Sequence, residues 1–156
     1  MTNIRSAVTI RRRREDVFDF VTTPSNWPRW HPSSIRVSGD AEHPLAAGER
    51  CVEEYVVAGR RGSAEWMVAG CERPSTWVIE AHPPGGGQAR ITYHLFAVDE
   101  GTRFTRTLEY AMPTPLLALL DALVLRRRIE HESATAVDNL RWVLETTGTV
   151  TTSTAS

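Results

Sequence analysis

The chain has 156 residues, the usual size of one domain and enough to bury a sizeable core. Its 18 basic residues, all arginines, nearly balance 19 acidic ones for a net charge of -1, which excludes a bulk field that would draw it to nucleic acid or an anionic membrane. Cys51 and Cys71, with no CxxC and no adjoining pair of histidines, suggest neither a disulfide scaffold nor a zinc framework, and read as two reduced thiols on neighbouring strands.

Ile4, Val8 and Ile10 share one parity and predict a short strand ending at Arg11 to Arg14. A helix should follow, because Glu15 and Asp16 place acidic charge in its first turn and Val17, Phe18 and Val21 form an apolar stripe. The three prolines of Pro24-Ser25-Asn26-Trp27-Pro28-Arg29-Trp30-His31-Pro32 allow one helical turn at most, although both tryptophans should be buried. From Ile35 to Met112 the pattern has period two, broken by glycine, proline and aspartate. It predicts six further strands, at about 35–39, 49–58, 63–72, 76–82, 88–98 and 102–111, joined as an antiparallel meander. Pro83 to Gly87 read as a flexible hairpin tip, and Asp99-Glu100-Gly101 as a tight turn.

Thr114 is placed as the N-cap of a long helix with Pro115 at its first position. Leu116, Leu120, Leu123, Ala134, Val137, Leu140 and Leu144 keep a helical period with no glycine or proline before Gly148. The Thr/Ser-rich residues 146–156 have too little apolar surface to offset ordering and are expected to form a flexible tail behind a domain of residues 1–145. The N-terminus has no apolar signal stretch, and the run Leu116 to Leu125 falls short of the ~20 residues a membrane helix needs, so a cytoplasmic protein without stable membrane insertion is expected. These elements predict an α+β fold, a curved seven-stranded antiparallel sheet closed on its concave side by the terminal helix. A gap between helix and sheet would be an apolar pocket.

The chain resembles the START-like superfamily, also called SRPBCC, and within it the polyketide cyclase/dehydrase and lipid-transport-like group. The resemblance rests on Val17-Phe18-Asp19-Phe20-Val21 followed by Pro24, Trp27 and Trp30, on Gly101-Thr102-Arg103-Phe104-Thr105, and on Asn139-Leu140 to Leu144-Glu145. It implies a helix-grip fold with a ligand cavity over about residues 4–145. It fixes no reaction, because such proteins range from carriers to cyclases and regulators. The chain departs from the group at Arg12-Arg13, where Ala-Pro is common.

Period two assigns Val52 and Val56, Trp66 and Val68, Trp77 and Ile79, Ile91, Tyr93 and Leu95, and Phe104, Leu108 and Tyr110 to the concave face. Trp66, Tyr93 and Tyr110 are candidates to line a pocket, since a buried N–H or O–H wants a polar partner. Glu54 and Arg106 share parity with these apolar neighbours. Arg106 could anchor a carboxylate or enolate and Glu54 orient it or act as a base; alternatively the two form a structural salt bridge or face outward. Leu120 and Arg127 are further candidates on the long helix, where Arg126, Arg127, Glu130 and His131 either pair on the surface or form a polar patch facing the cavity.

His31, His43, His82, His94 and His131 lack HxxxH spacing, and there is no GxSxG, P-loop or GxGxxG, so no metal, no nucleotide cofactor and no catalytic residue of those kinds is expected. Acidic residues follow Arg11 to Arg14 at once, which favours a solvated corner over a nucleic-acid site. The sequence thus predicts a monomer or homodimer that binds a small hydrophobic, lipid-like or polyketide-like ligand. A cyclase or dehydratase acting in the same cavity, and a protein-interaction or stress-regulatory module, are the alternatives.

Overall fold

The computed structural model describes residues 2–57, 59–82, 86–111 and 115–147, with the side chains of 115–122 left aside. Strand β1 (Thr2–Ile10) leads into α1 (Arg14–Val21) and a 3₁₀ helix, Pro24–Arg29. Six strands follow, β2 (Ser34–Ser38), β3 (Arg50–Val57), β4 (Arg60–Glu72), β5 (Thr76–Ala81), β6 (Gln88–Val98) and β7 (Gly101–Ala111), and then α2 (Pro115–Thr147). Every strand pairs antiparallel in one seven-stranded sheet of order β1-β7-β6-β5-β4-β3-β2, because the connections from β3 to β7 are short and β1 closes on β7. The sheet curls into a half-barrel around α2, the helix-grip arrangement expected from the sequence.

Three differences have simple causes. Strand β4 begins at Arg60, three residues before its predicted start, since β3 and β4 pair to their ends, Val57 beside Arg60. Helix α2 runs through Thr146 and Thr147, whose hydroxyls donate back to backbone carbonyls of the preceding turn, so the predicted tail loses its first two residues. The rest of that tail, residues 148–156, lies outside the described residues, as do Thr114, Pro83 and Pro84. The Arg11 to Arg14 corner is also structural. Arg12 Nη2 donates to the Glu145 carbonyl at 3.2 Å and the Arg11 N–H to the Glu145 carboxylate at 3.0 Å, bringing positive charge to the last turn of α2.

The interior has two halves. Toward α1 and the 3₁₀ helix it is solid: Trp77 stacks on Tyr93 with ring centroids 5.3 Å apart, Phe104 meets Tyr93 edge-on at 5.0 Å, and Trp27 and Trp30 close over them. Trp27 Nε1 donates to the Val21 carbonyl and Trp77 Nε1 to the Leu45 carbonyl, both at 3.0 Å, so both indoles are buried with their N–H satisfied. Asn139 Nδ2 donates to the Trp30 carbonyl at 3.1 Å, and with Ala136, Val137, Leu140 and Leu144 buried this pins the C-terminal half of α2. Toward the N-terminal half of α2 the sheet and helix diverge.

Candidate functional site

The divergence encloses a cavity of about 710 Å³, within the range of small-molecule sites. Cross-strand register stacks its wall in rows: Arg106 beside Tyr93, then Leu108 beside Ile91, then Tyr110 beside Ala89, Ala81 and Trp66. Tyr55, Val57, Arg60, Arg61 and Gly87 stand at the open end, and α2 contributes Leu125, Arg128, Ile129, Glu132 and Ser133. Gly62 lies directly across from Tyr55, and a Cβ there would strike the phenol ring, so glycine makes room for that ring against β4.

Of the predicted pocket residues, Trp66, Tyr93, Arg106 and Tyr110 line the cavity. Glu54 does not. It points to the outer face, where Arg36 Nη2 meets its carboxylate at 3.0 Å. The concave parity of β3 is Glu53, Tyr55 and Val57, one residue out of step with the predicted Val52 and Val56. Arg127 is exposed and is also not part of the wall; Arg128, one residue on, borders the cavity, itself exposed and paired with Glu132 at 3.7 Å. Leu123 is likewise exposed, while Leu125 and Ile129 face in. Leu120 falls among the side chains left aside. Arg126 pairs with Glu130 at 3.0 Å on the surface, the first of the two arrangements foreseen for that patch.

The sequence reading missed Glu53 and His31, which join Arg106 in the polar floor of the cavity. Glu53 accepts a hydrogen bond from Trp66 Nε1 at 3.1 Å, and burial raises its pKa although Ser34, Trp66 and the charge of Arg106 work against the rise. His31 receives the Ser33 backbone N–H on Nδ1 at 3.2 Å, which leaves the proton of the neutral ring on Nε2. Burial, assisted by the nearby Arg106 charge, holds its pKa well below 6.5. Arg106 is 5% exposed; its Nη1 reaches the Ser133 hydroxyl at 3.4 Å and its Nε has no hydrogen-bond partner. Burial also pushes the Tyr93 phenol up, and the Cys51 thiol up to about 12, so Cys51 is an inert core thiol.

Away from the cavity, Asp40, His43 and Glu49 form a cluster of metal-ligand types. His43 spends both ring nitrogens there, Nδ1 on Asp40 at 3.3 Å and Nε2 on Glu49 at 2.8 Å, and the Glu49 bond raises its pKa. The three side chains therefore read as a surface imidazolium clamp. Among the described residues no helix is long and apolar enough to cross a membrane.

The sequence profile of the polyketide cyclase/dehydrase and lipid transport family matches residues 1–145. No curated protein matches the chain. Among solved structures it is similar to TTHA0849 from Thermus thermophilus, at 14% identity and a TM-score of 0.75, covering 94% of this chain and 99% of that one. SA2116 from Staphylococcus aureus, a protein of unknown function, gives 13% identity and a TM-score of 0.73 over 95% of this chain and 96% of its own. DynU16, from the dynemicin biosynthetic locus, gives 15% and 0.65, covering 93% of this chain and 48% of the other. At these identities the likeness is one of fold.

Proposed function

We propose, for a chain that belongs to the polyketide cyclase/dehydrase and lipid transport family, that the cavity between α2 and the sheet binds one small, largely hydrophobic molecule of lipid-like or polyketide-like character. The cavity itself carries this reading: about 710 Å³ walled by Trp66, Ile91, Leu108, Tyr110, Leu125 and Ile129, open at one end. An interaction module would not need such a volume. Sequestration or transport by a cytoplasmic monomer or homodimer is the use we assign to it. Native mass spectrometry of the purified protein should reveal a co-purifying small molecule, and a neutral apolar fluorophore such as pyrene should bind saturably at one site per chain. If the protein emerges empty and pyrene gives no saturable signal, the reading fails.

One observation favours chemistry as a second reading. A cyclase or dehydratase needs a group poised to move protons, and Glu53, half-buried on the cavity wall with a raised pKa, has that character. This version predicts that an enolisable aromatic polyketide exchanges solvent deuterium faster with the protein present, and that Glu53→Gln abolishes the acceleration.

A further inference from the structure

The closed end of the cavity concentrates unsatisfied polar atoms. Among the described residues six buried side-chain nitrogens or oxygens lack a hydrogen-bond partner in good geometry, and Arg14 Nε alone lies away from this end. The others are Ser6 Oγ, Trp30 Nε1, His31 Nε2, Arg106 Nε and Ser34 Oγ, the last turned toward the Glu53 carboxylate. Ser6 sits directly across β1 and β7 from Arg106, while His31 and Arg106 both line the cavity. Water in the cavity can satisfy a hydroxyl or an indole. It cannot neutralise a guanidinium that is only 5% exposed, and burying such a charge costs several kcal/mol unless an opposite charge meets it.

The protein does not supply that opposite charge well. Among the described residues Arg106 makes no ion pair, and the nearest role for a carboxylate falls to Glu53, which is engaged by Trp66. Of the four arginines on the wall, Arg60, Arg61 and Arg128 are exposed and Arg128 pairs with Glu132 at 3.7 Å, which leaves Arg106 as the buried one, while burial raises the pKa of Glu53. The positive charge is therefore concentrated at the closed end, on Arg106, inside a chain whose net charge is -1.

Resting on the binding function proposed above, we propose that the occupant is an amphipathic monoanion: a planar oxygen-centred acid group, carboxylate or enolate, seated on Arg106 and the Nε2–H of His31, with its apolar body running along α2 toward the mouth. From Ser133 at the floor to Val124 at the mouth is nine residues of helix, roughly 13 Å. The guanidinium presents parallel donors that match such a planar anion, and the histidine adds a third from the side.

Competition against bound pyrene tests this on the intact protein. Decanoate is compared with decanamide, and the enolate of an aryl β-diketone with its alkylated, non-enolisable counterpart; the pair that separates identifies carboxylate or enolate as the anion. The expected result is that at least one anion competes about tenfold more tightly than its neutral partner. In Arg106→Met, which keeps the length of the side chain and removes the charge, that ratio should collapse to about one while pyrene still binds. Equal competition by acid and neutral partner in both pairs with the unaltered protein overturns the anion, and so does a preference that survives Arg106→Met. Those outcomes need pyrene to bind, so they leave the cavity reading standing; failure of pyrene itself removes the binding reading and the anion with it.

Discussion

One sheet and one helix build two interiors, and the contrast lies in what fills the space between them. Around Trp27, Trp77, Tyr93 and Phe104 the rings pack edge to face and two indole N–H groups end on backbone carbonyls. Around Arg106, Leu108 and Tyr110 the same strands, a few residues further along, face about 710 Å³ of open volume with polar atoms unanswered. The helix decides which half is which. Where α2 offers Ala136, Val137, Leu140 and Leu144 the gap closes, and where it offers Arg128, Glu132 and Ser133 it does not. Short or apolar inward residues permit close approach, whereas buried charges must be kept hydrated or matched.

Truncation should separate the halves most widely. Trp77→Ala removes a fully buried ring from the solid half and should cost about 3–5 kcal/mol, because its dense surroundings cannot collapse into the void. Leu108→Ala in the hollow half removes a half-buried side chain that already borders open volume, so only the transfer loss remains, about 1 kcal/mol. Urea denaturation of both variants checks the pair. Comparable losses would mean that the two interiors are equally packed.

A smaller effect of opposite sign is expected from Arg106→Met. Replacing a buried, unpaired guanidinium by an apolar chain of similar volume should leave unliganded stability unchanged or raise it by about 1–2 kcal/mol. A loss of several kcal/mol in the same denaturation measurement would show that Arg106 is a structural strut of the floor.

The same contrast explains what the sequence could disclose. On β4 to β6 the buried residues share one parity, and on β7 Thr102, Phe104 and Arg106 do so with Thr105 as the exception, so Trp66, Trp77, Tyr93 and Arg106 announce their face by alternation. On β3 every residue from Val52 to Val57 is half-buried on both faces, so Val52, Glu54 and Val56 look as inward as Glu53, Tyr55 and Val57, and apolar alternation selects the wrong set. On α2 the apolar stripe is interrupted where the cavity lies, and Leu123, Val124 and Leu125 in succession offer no preferred side; periodicity therefore places Val137, Leu140 and Leu144 correctly but misplaces Leu123. Nothing local marks His31, whose role depends on the 3₁₀ helix folding it under β7. Fold follows from periodicity, whereas the floor of a cavity depends on long-range register.

The finest test of the contrast is titration, because the hollow half has buried ionisable groups of both signs and the solid half depends on none. His31 is neutral in the fold with a pKa well below 6.5, so its contribution is complete above pH 6.5 and is lost as pH falls through the depressed value. Glu53 has the reverse sign: with a pKa raised above 4.5, its contribution is complete below pH 4.5 and is lost as pH rises through the raised value. Glu53→Gln should therefore match the unaltered protein at about pH 4 and gain on it with increasing pH, by at most ~1.4 kcal/mol per unit while the group titrates and then by a constant amount. His31→Asn should gain only on the acid side. Trp77→Phe, placed among rings that carry no charge at these pH values, should shift stability equally at every pH. Denaturant midpoints from about pH 4 to 9 read all three, and a Glu53→Gln offset that is flat across this range would mean that its carboxyl group is as well hydrated in the fold as in the unfolded chain, which would place it outside the dry floor altogether.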